Sequence, residues 1–320
     1  VPKHGAAETG QGKRALVVGC GFIGSRITRE LLADGELPTV LTRSTPADDI
    51  VSALPTERLL IGDASDEDQV RRAIENVDRV IYTAGGLLPA ASEREPERDE
   101  ELTLAPLRTI LEALRDRPDI SLLYLSSGGT VYGDPERIPV PEDEEPNPRG
   151  VYGKLHLLCE REILQAAEVG LEARVLRCST VYGEGQQPDR GQGVIVTFLS
   201  HIERGLPIEL FGDGGTVRDY IYVGDLARIV IDLLEVAEGP SILNVGSGKG
   251  TSLVEIVRLT EAVVGREAEI VNHPERPFDV HQIVLDIERL RALVTPPDTP
   301  IDEGVRRTGQ WLAALGAEAS

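Results

Sequence analysis

The chain has 320 residues of which 41% are hydrophobic, enough for a substantial core in one large or two small domains. Its formal net charge of −21 argues against nucleic acid or an anionic membrane surface as partner, and no run of about eighteen uncharged apolar residues is present to span a bilayer. Cys20, Cys159 and Cys178 have no metal-ligand spacing, so the chain reads as a metal-free protein of the reducing cytoplasm. Residues 1–13 are too polar for a signal peptide and read as a disordered lead-in.

Leu16-Val17-Val18 reads as a buried parallel strand, and Ile23, Ile27, Leu31 and Leu32 recur behind it at helical spacing until Asp34-Gly35 ends the helix. Strands are expected next at 39–41, 59–63, 79–82 and 121–126, with amphipathic segments at 66–76, 101–116 and 153–169 between and after them. The acidic stretches 93–101 and 142–145 read as solvated faces of loops. After about residue 183 the alternation loosens into a Gly/Gln/Asp loop, a helix at 194–204 and short strands near 207–211 and 219–223. A late strand at 241–245 is placed to rejoin the main sheet. The pattern predicts an α/β protein: a Rossmann-type doubly wound parallel sheet with a smaller, partly interleaved α/β substrate domain. Residues 14–182 with about 214–250 are assigned to the dinucleotide-binding domain, and 183–213 with about 251–315 to the smaller one.

Between the first strand and its helix, Gly19, Gly21 and Gly24 stand at G-x-G-x-x-G spacing, with Phe22 and Ile23 inside the turn. Glycines let the backbone approach a pyrophosphate closely, and the helix behind them aims its N-terminal N–H groups at it. Eighteen residues after Gly24, Thr42-Arg43-Ser44 offers a cation at the end of the second strand. A carboxylate there would accept from a ribose 2′-OH, whereas a guanidinium suits a 2′-phosphate. The expected cofactor is therefore NADPH/NADP in preference to NAD.

Further motifs follow: Gly62-Asp63, SSGGTVYG at 126–133, VYG at 151–153 with Glu160 after it, GDGGTVRDYIYVGDLA at 212–227, ILNVGSG at 242–248 and RPFDV at 276–280. With them the chain resembles the extended short-chain dehydrogenase/reductase family of nucleotide-sugar epimerases, dehydratases and ketoreductases, from Arg14 to Leu312. The resemblance implies that Asp63 and Ala64 meet the adenine side of the cofactor, and that Thr83, Ala84 and Gly85 run along it. It also implies a substrate cleft under the smaller domain, lined by Leu87, Gly128, Gly129, Thr180, Arg218 and Arg276, and a homodimer of the kind its relatives often form. In this family the usual catalytic set is Ser/Thr, Tyr, a Lys four residues after that Tyr, and a supporting Asn. Here Tyr152 holds the Tyr position, His156 the Lys position, Gly128 the Ser/Thr position and Thr103 the Asn position. Lys154, two residues after the Tyr, falls on another side of the helix.

Without the Lys ammonium, Tyr152 stays a neutral phenol, a poor base but a serviceable proton donor to an alkoxide. Tyr152 and His156 are both expected against the cofactor, where His156 could orient the ribose, and Thr130 or Ser127 could supply the hydroxyl that polarises a carbonyl. Together with Arg43 this predicts an NADPH-dependent ketoreductase of specialised metabolism, antibiotic biosynthesis included. Its substrate would be an NDP-4-keto-6-deoxysugar or a polycyclic, polyketide-type ketone, with the loop 183–197 as a lid. The alternatives are an NAD-dependent NDP-sugar 4-epimerase and a non-catalytic NADP-binding sensor.

Overall fold

The computed structural model describes residues 14–188, 193–275 and 280–318; the expected lead-in at 1–13 lies outside the described residues. In chain order the strands are β1 (Ala15–Val18), β2 (Thr39–Thr42), β3 (Leu59–Ile61), β4 (Arg79–Tyr82), β5 (Ser121–Ser127), β6 (Ala173–Cys178), β7 (Thr180–Tyr182), β8 (Ile208–Phe211), β9 (Val217–Tyr222), β10 (Ile242–Val245), β11 (Gly250–Ser252), β12 (Ile270–His273) and β13 (Gln282–Ile283). Seven of them form one parallel sheet in the order β10-β6-β5-β4-β1-β2-β3.

β1 and β4 are buried along their whole length, as strands covered on both faces must be. Their side chains divide by the two-residue period of a strand. Leu16 and Val18 join Val70, Leu107 and Ile163 in one core, while Ala15 and Val17 join Ile27, Val40 and Val230 in the other. From β1 the chain steps out to β2 and β3, then returns to β4 on the opposite side of β1. That reversal leaves a crevice at the carboxyl ends of β1 and β4, where a doubly wound sheet takes its ligand.

The longer of the two helices between β4 and β5 runs Pro96–Arg115, beginning well before the expected 101 because Pro96 sits in its first turn, where a missing N–H costs nothing. This corrects the reading of 93–101 as a solvated loop: the stretch folds into the helix start and buries Asp99 to 1% exposure. Glu142 in the second acidic stretch is buried as well, accepting from Asn244 N (3.0 Å).

β6 ends at Cys178, and after Ser179 alone β7 leaves the main sheet to pair with β9. β9 pairs in turn with β11 and β13, so this strand of the 214–250 segment has its partners in the smaller sheet. β8 and β12 form a separate pair. Helices Val194–Arg204, Leu253–Val264 and Ile301–Glu318 close a third core with Ile195, Leu199, Ile256 and Val305. β10 then returns beside β6, in register from Ile242↔Val175 to Val245↔Cys178, as the late strand of the main sheet. Buried Asp219 on β9 joins the two units by accepting from Ser247 N and Oγ (2.9 and 2.8 Å), Gly248 N (3.1 Å) and Leu285 N (3.3 Å). Among the described residues no helix is long and apolar enough to cross a membrane.

Candidate active site

At the switch point the glycines have separate jobs. Gly19 has φ +89° and packs so closely that a Cβ on it would lie 2.7 Å from the Ala84 backbone. A Cβ on Gly24 would collide with Gly19 O and Thr83 Oγ1. Thr83 seals this contact, donating from N to Val18 O (2.9 Å) and from Oγ1 to Gly19 O (2.6 Å). Gly21 is different: a Cβ there meets nothing within 4 Å. It caps the helix Phe22–Ala33, whose first turn has no side-chain cap and no acidic residue. The helix therefore starts with uncapped N–H groups beside a backbone stripped of side chains, the setting a phosphate needs.

Around that cradle lie the other expected cofactor residues. Thr42 is buried, and its Oγ1 accepts from Cys20 N at 3.4 Å. Arg43 and Ser44 are exposed just beyond it, and Arg43 has no ion pair among the described residues. Asp63 sits near enough for the Arg43 charge to be felt, though its carboxyl is held below the usual range chiefly by the Ser65 N–H (2.9 Å). Ala64 is buried beside it, and Ala84 and Gly85 continue from Thr83 along the crevice. A bare backbone, an open helix end and an available guanidinium fit a phosphate-bearing dinucleotide.

The catalytic half is built on β5 and the helix Val151–Glu168. Tyr152, His156 and Glu160 recur every four residues on the face that meets the sheet, while Lys154 is exposed on another side. The rings of Tyr152 and His156 lie 4.5 Å apart. Ser127, at the end of β5, lies near enough for its hydroxyl to be felt by the Tyr152 phenol, and Thr130 instead turns its hydroxyl back to Ser127 O at 3.3 Å. Burial pushes the Tyr152 phenol well above its ordinary range, the Asp99 charge adds to that, and the nearby Ser127 hydroxyl opposes it. Burial also lowers His156 to about 4 against the pull of Asp99. Both groups are thus neutral at neutral pH.

Gly128 is tightly enclosed. A Cβ there would lie 2.8 Å from Arg177 O and 2.9 Å from Leu285 Cδ1, so the backbone leaves no room for a side chain. Ser127 is the hydroxyl that remains in reach of Tyr152.

Of the expected substrate residues, Gly129 and Thr180 are neighbours, with Thr180 Oγ1 3.8 Å from where a Cβ on Gly129 would sit. Leu87 N donates to Asp99 Oδ1 (2.6 Å), which fixes the strand-end segment after Gly85. Arg218 donates from Nη1 to Val217 O (3.0 Å) and His281 O (3.4 Å). Arg276 lies outside the described residues, as does 189–192 of the loop expected to act as a lid. The described start of that loop is tied down by Glu184, which accepts from Tyr222 OH at 2.6 Å, and Gly185 lies close to the Phe22 ring.

Two residues escaped the sequence reading. Asp99 accepts from Thr103 Oγ1 (3.1 Å) besides Leu87 N, and its charge reaches both Tyr152 and His156. Its position four residues before Thr103, on the same helix face, was the available signal. Tyr124 on β5 meets His156 Nδ1 through its hydroxyl at 3.0 Å. Here strand alternation was the clue, since Leu122, Tyr124 and Ser126 share a face with the helix that carries Tyr152. Beneath both, buried Arg177 bonds Glu160 Oε2 at 2.8 Å and Ser126 Oγ donates to Glu160 Oε1 at 2.5 Å, locking that helix onto the sheet.

The NAD dependent epimerase/dehydratase family matches residues 15–246 of the chain. A putative UDP-glucose 4-epimerase of Methanocaldococcus jannaschii is 31% identical, over 92% of this chain and 96% of its own length. A dTDP-4-dehydro-6-deoxy-D-allose reductase of Streptomyces bikiniensis is 29% identical over 96% of this chain and 98% of its own. The crystal structure of the Thermus thermophilus UDP-glucose 4-epimerase complex with NAD superposes with a TM-score of 0.85 at 32% identity, covering 94% of this chain and 99% of that one.

Proposed function

The chain belongs to the NAD-dependent epimerase/dehydratase family, and we propose that within it this protein is an NADPH-dependent ketoreductase. The observation that carries the reading is the pair at the head of the helix Val151–Glu168: the Tyr152 ring 4.5 Å from a buried imidazole where the family's ammonium would stand, with burial favouring the neutral form of both. Reduction of a ketone needs a proton at the carbonyl oxygen as the carbon gains hydride, and a neutral phenol can give one. Abstracting a proton from an alcohol, the first step of an oxidation, needs the phenolate that this environment disfavours.

The nicotinamide cofactor supplies the hydride when bound. Ser127 polarises the carbonyl, Tyr152 gives its proton to the developing alkoxide, and water returns a proton to Tyr152 once product leaves. Gly19, Gly21 and Gly24 hold the pyrophosphate, and Arg43 takes the 2′-phosphate. The substrate is a ketone, either an NDP-4-keto-6-deoxysugar or a polycyclic ketone, gripped from the smaller domain by Thr180 and Arg218. The reductase from Streptomyces bikiniensis is consistent with the sugar nucleotide.

The NAD-bound epimerase structure and the epimerase relatives favour a second reading, an NAD-dependent NDP-sugar 4-epimerase. NADPH depletion against a panel mixing NDP-ketosugars with polycyclic ketones separates the two. The first reading expects consumption of NADPH in step with alcohol formation. Protein that arrives carrying NAD and interconverts NDP-sugars without added reductant would establish the second.

A further inference from the structure

Behind Tyr152 lies a row of buried groups that proton donation does not use. Tyr124, 2% exposed, reaches His156 Nδ1 at 3.0 Å through its hydroxyl, and the fully buried Cys159 shares the same core. Tyr124 is backed by the Tyr82 ring at 5.7 Å, and His156 is faced by the Tyr152 ring at 4.5 Å. Tyr124 and His156 thus each pack between two other rings.

The row admits two proton arrangements. In one, the Tyr124 hydroxyl donates to His156 Nδ1. In the other, His156 Nδ1–H donates to the Tyr124 oxygen, and the phenol proton has no hydrogen-bonded acceptor among the described residues. The first gives the phenol, a good donor, to the imidazole nitrogen, a good acceptor. The second leaves a buried O–H unpaired, at the cost of its desolvation. The row also ends at Tyr124, at 2% exposure, so no proton passes along it to solvent. It positions a ring and does not relay.

We infer that Tyr124 is a positioning residue, whose hydroxyl donates to His156 Nδ1 and fixes the imidazole as the tautomer that carries its proton on Nε2. What the fixed tautomer does for the cofactor rests on the reductase reading, in which His156 stands on the cofactor side of Tyr152. The fixed Nε2–H is then a single neutral donor where an ammonium would bring charge as well. It can orient a ribose hydroxyl without drawing the proton from Tyr152. The ionisable groups around the ring are Asp99 on the helix Pro96–Arg115, Tyr124 and Tyr82 on the sheet, and Tyr152, Cys159 and Glu160 on the helix of His156 itself.

The test is nitrogen-15 NMR of the full chain with labelled histidine, the His156 signals being identified by their loss in His156→Gln. An acceptor-type Nδ1 and a protonated Nε2, unchanged from about pH 8 to about 5.5, are expected. Tyr124→Phe should give mixed tautomers and weaken NADPH binding, read by fluorescence, about tenfold, the scale of one lost hydrogen bond. A proton on Nδ1 in the unaltered protein overturns the inference, as does a Tyr124→Phe variant with unchanged ring signals. Should Tyr124→Phe not fold, the spectrum of the unaltered protein decides alone. A fixed Nε2–H tautomer in a protein that reduces no ketone would sink the reductase reading and leave the positioning role standing.

Discussion

The two halves of the site are specified in different ways. At the glycine turn the determinants are backbone: Gly19 and Gly24 are needed for packing, and Gly21 leaves a space. At β5 and the helix Val151–Glu168 the determinants are side chains buried against one another, with Gly128 and Gly153 points where the enclosing backbone leaves no room for a side chain. A backbone device works wherever the local turn forms. A buried polar cluster depends on every partner and on the exclusion of water, which is why His156 and Tyr152 depart so far from solution behaviour.

Substitutions in each half should separate these logics. The largest effect is expected from Tyr152→Phe, which should lower kcat for ketone reduction by about 10²–10⁴-fold while leaving cofactor affinity close to that of the parent. Full activity in that variant, measured by NADPH consumption, would move the proton donor elsewhere. Arg43→Asp should cost about 1–3 kcal/mol of NADPH binding through the lost charge-assisted bonds, and so turn the preference toward NADH. Equal kcat/KM for both cofactors in the parent would remove Arg43 from the argument.

A smaller effect concerns pH. His156 titrates near 4 in the folded chain against an ordinary value near 6.5, so the unfolded chain binds its proton first as pH falls. Stability from this group is complete above about 6.5 and is lost on the way down to about 4, roughly 2 kcal/mol between pH 7 and 5. His156→Gln should flatten the denaturant-derived stability across that interval by this amount; an unchanged slope would mean that His156 is not held neutral. The smallest effect on folding is expected from Gly21→Ala, with stability within about 0.5 kcal/mol of the parent because the new methyl meets open space. Dinucleotide affinity should nevertheless fall, since that space is what the pyrophosphate would fill. A variant that binds as before would put the ligand elsewhere.

Much of the frame was legible in the sequence. β1, β2, β4 and β5 and the helix Val194–Arg204 fall where apolar periodicity and glycine punctuation put them, and β10 rejoins the sheet as expected. Lys154 lands off the face of Tyr152 because residues two apart on a helix do not share one. The acidic stretch 93–101 was misread because charge density alone says nothing about a single carboxylate turned inward. Asp99 is buried only because Leu87 N–H and Thr103, from a neighbouring segment and the next helical turn, satisfy its oxygen.

By itself, then, the sequence determined what depends on neighbours along the chain: the strand–glycine–helix turn, the alternation that builds a doubly wound sheet, and the identities of the residues at Tyr152, His156 and Gly128. Only the tertiary structure decided what depends on neighbours across it. It set Tyr124 against His156, closed Arg177 and Leu285 over Gly128 and brought Ser127 to Tyr152. Local periodicity follows from the fixed geometry of helix and strand. Hydrogen-bond pairing and desolvation come from packing between distant segments, and no spacing in the chain records them.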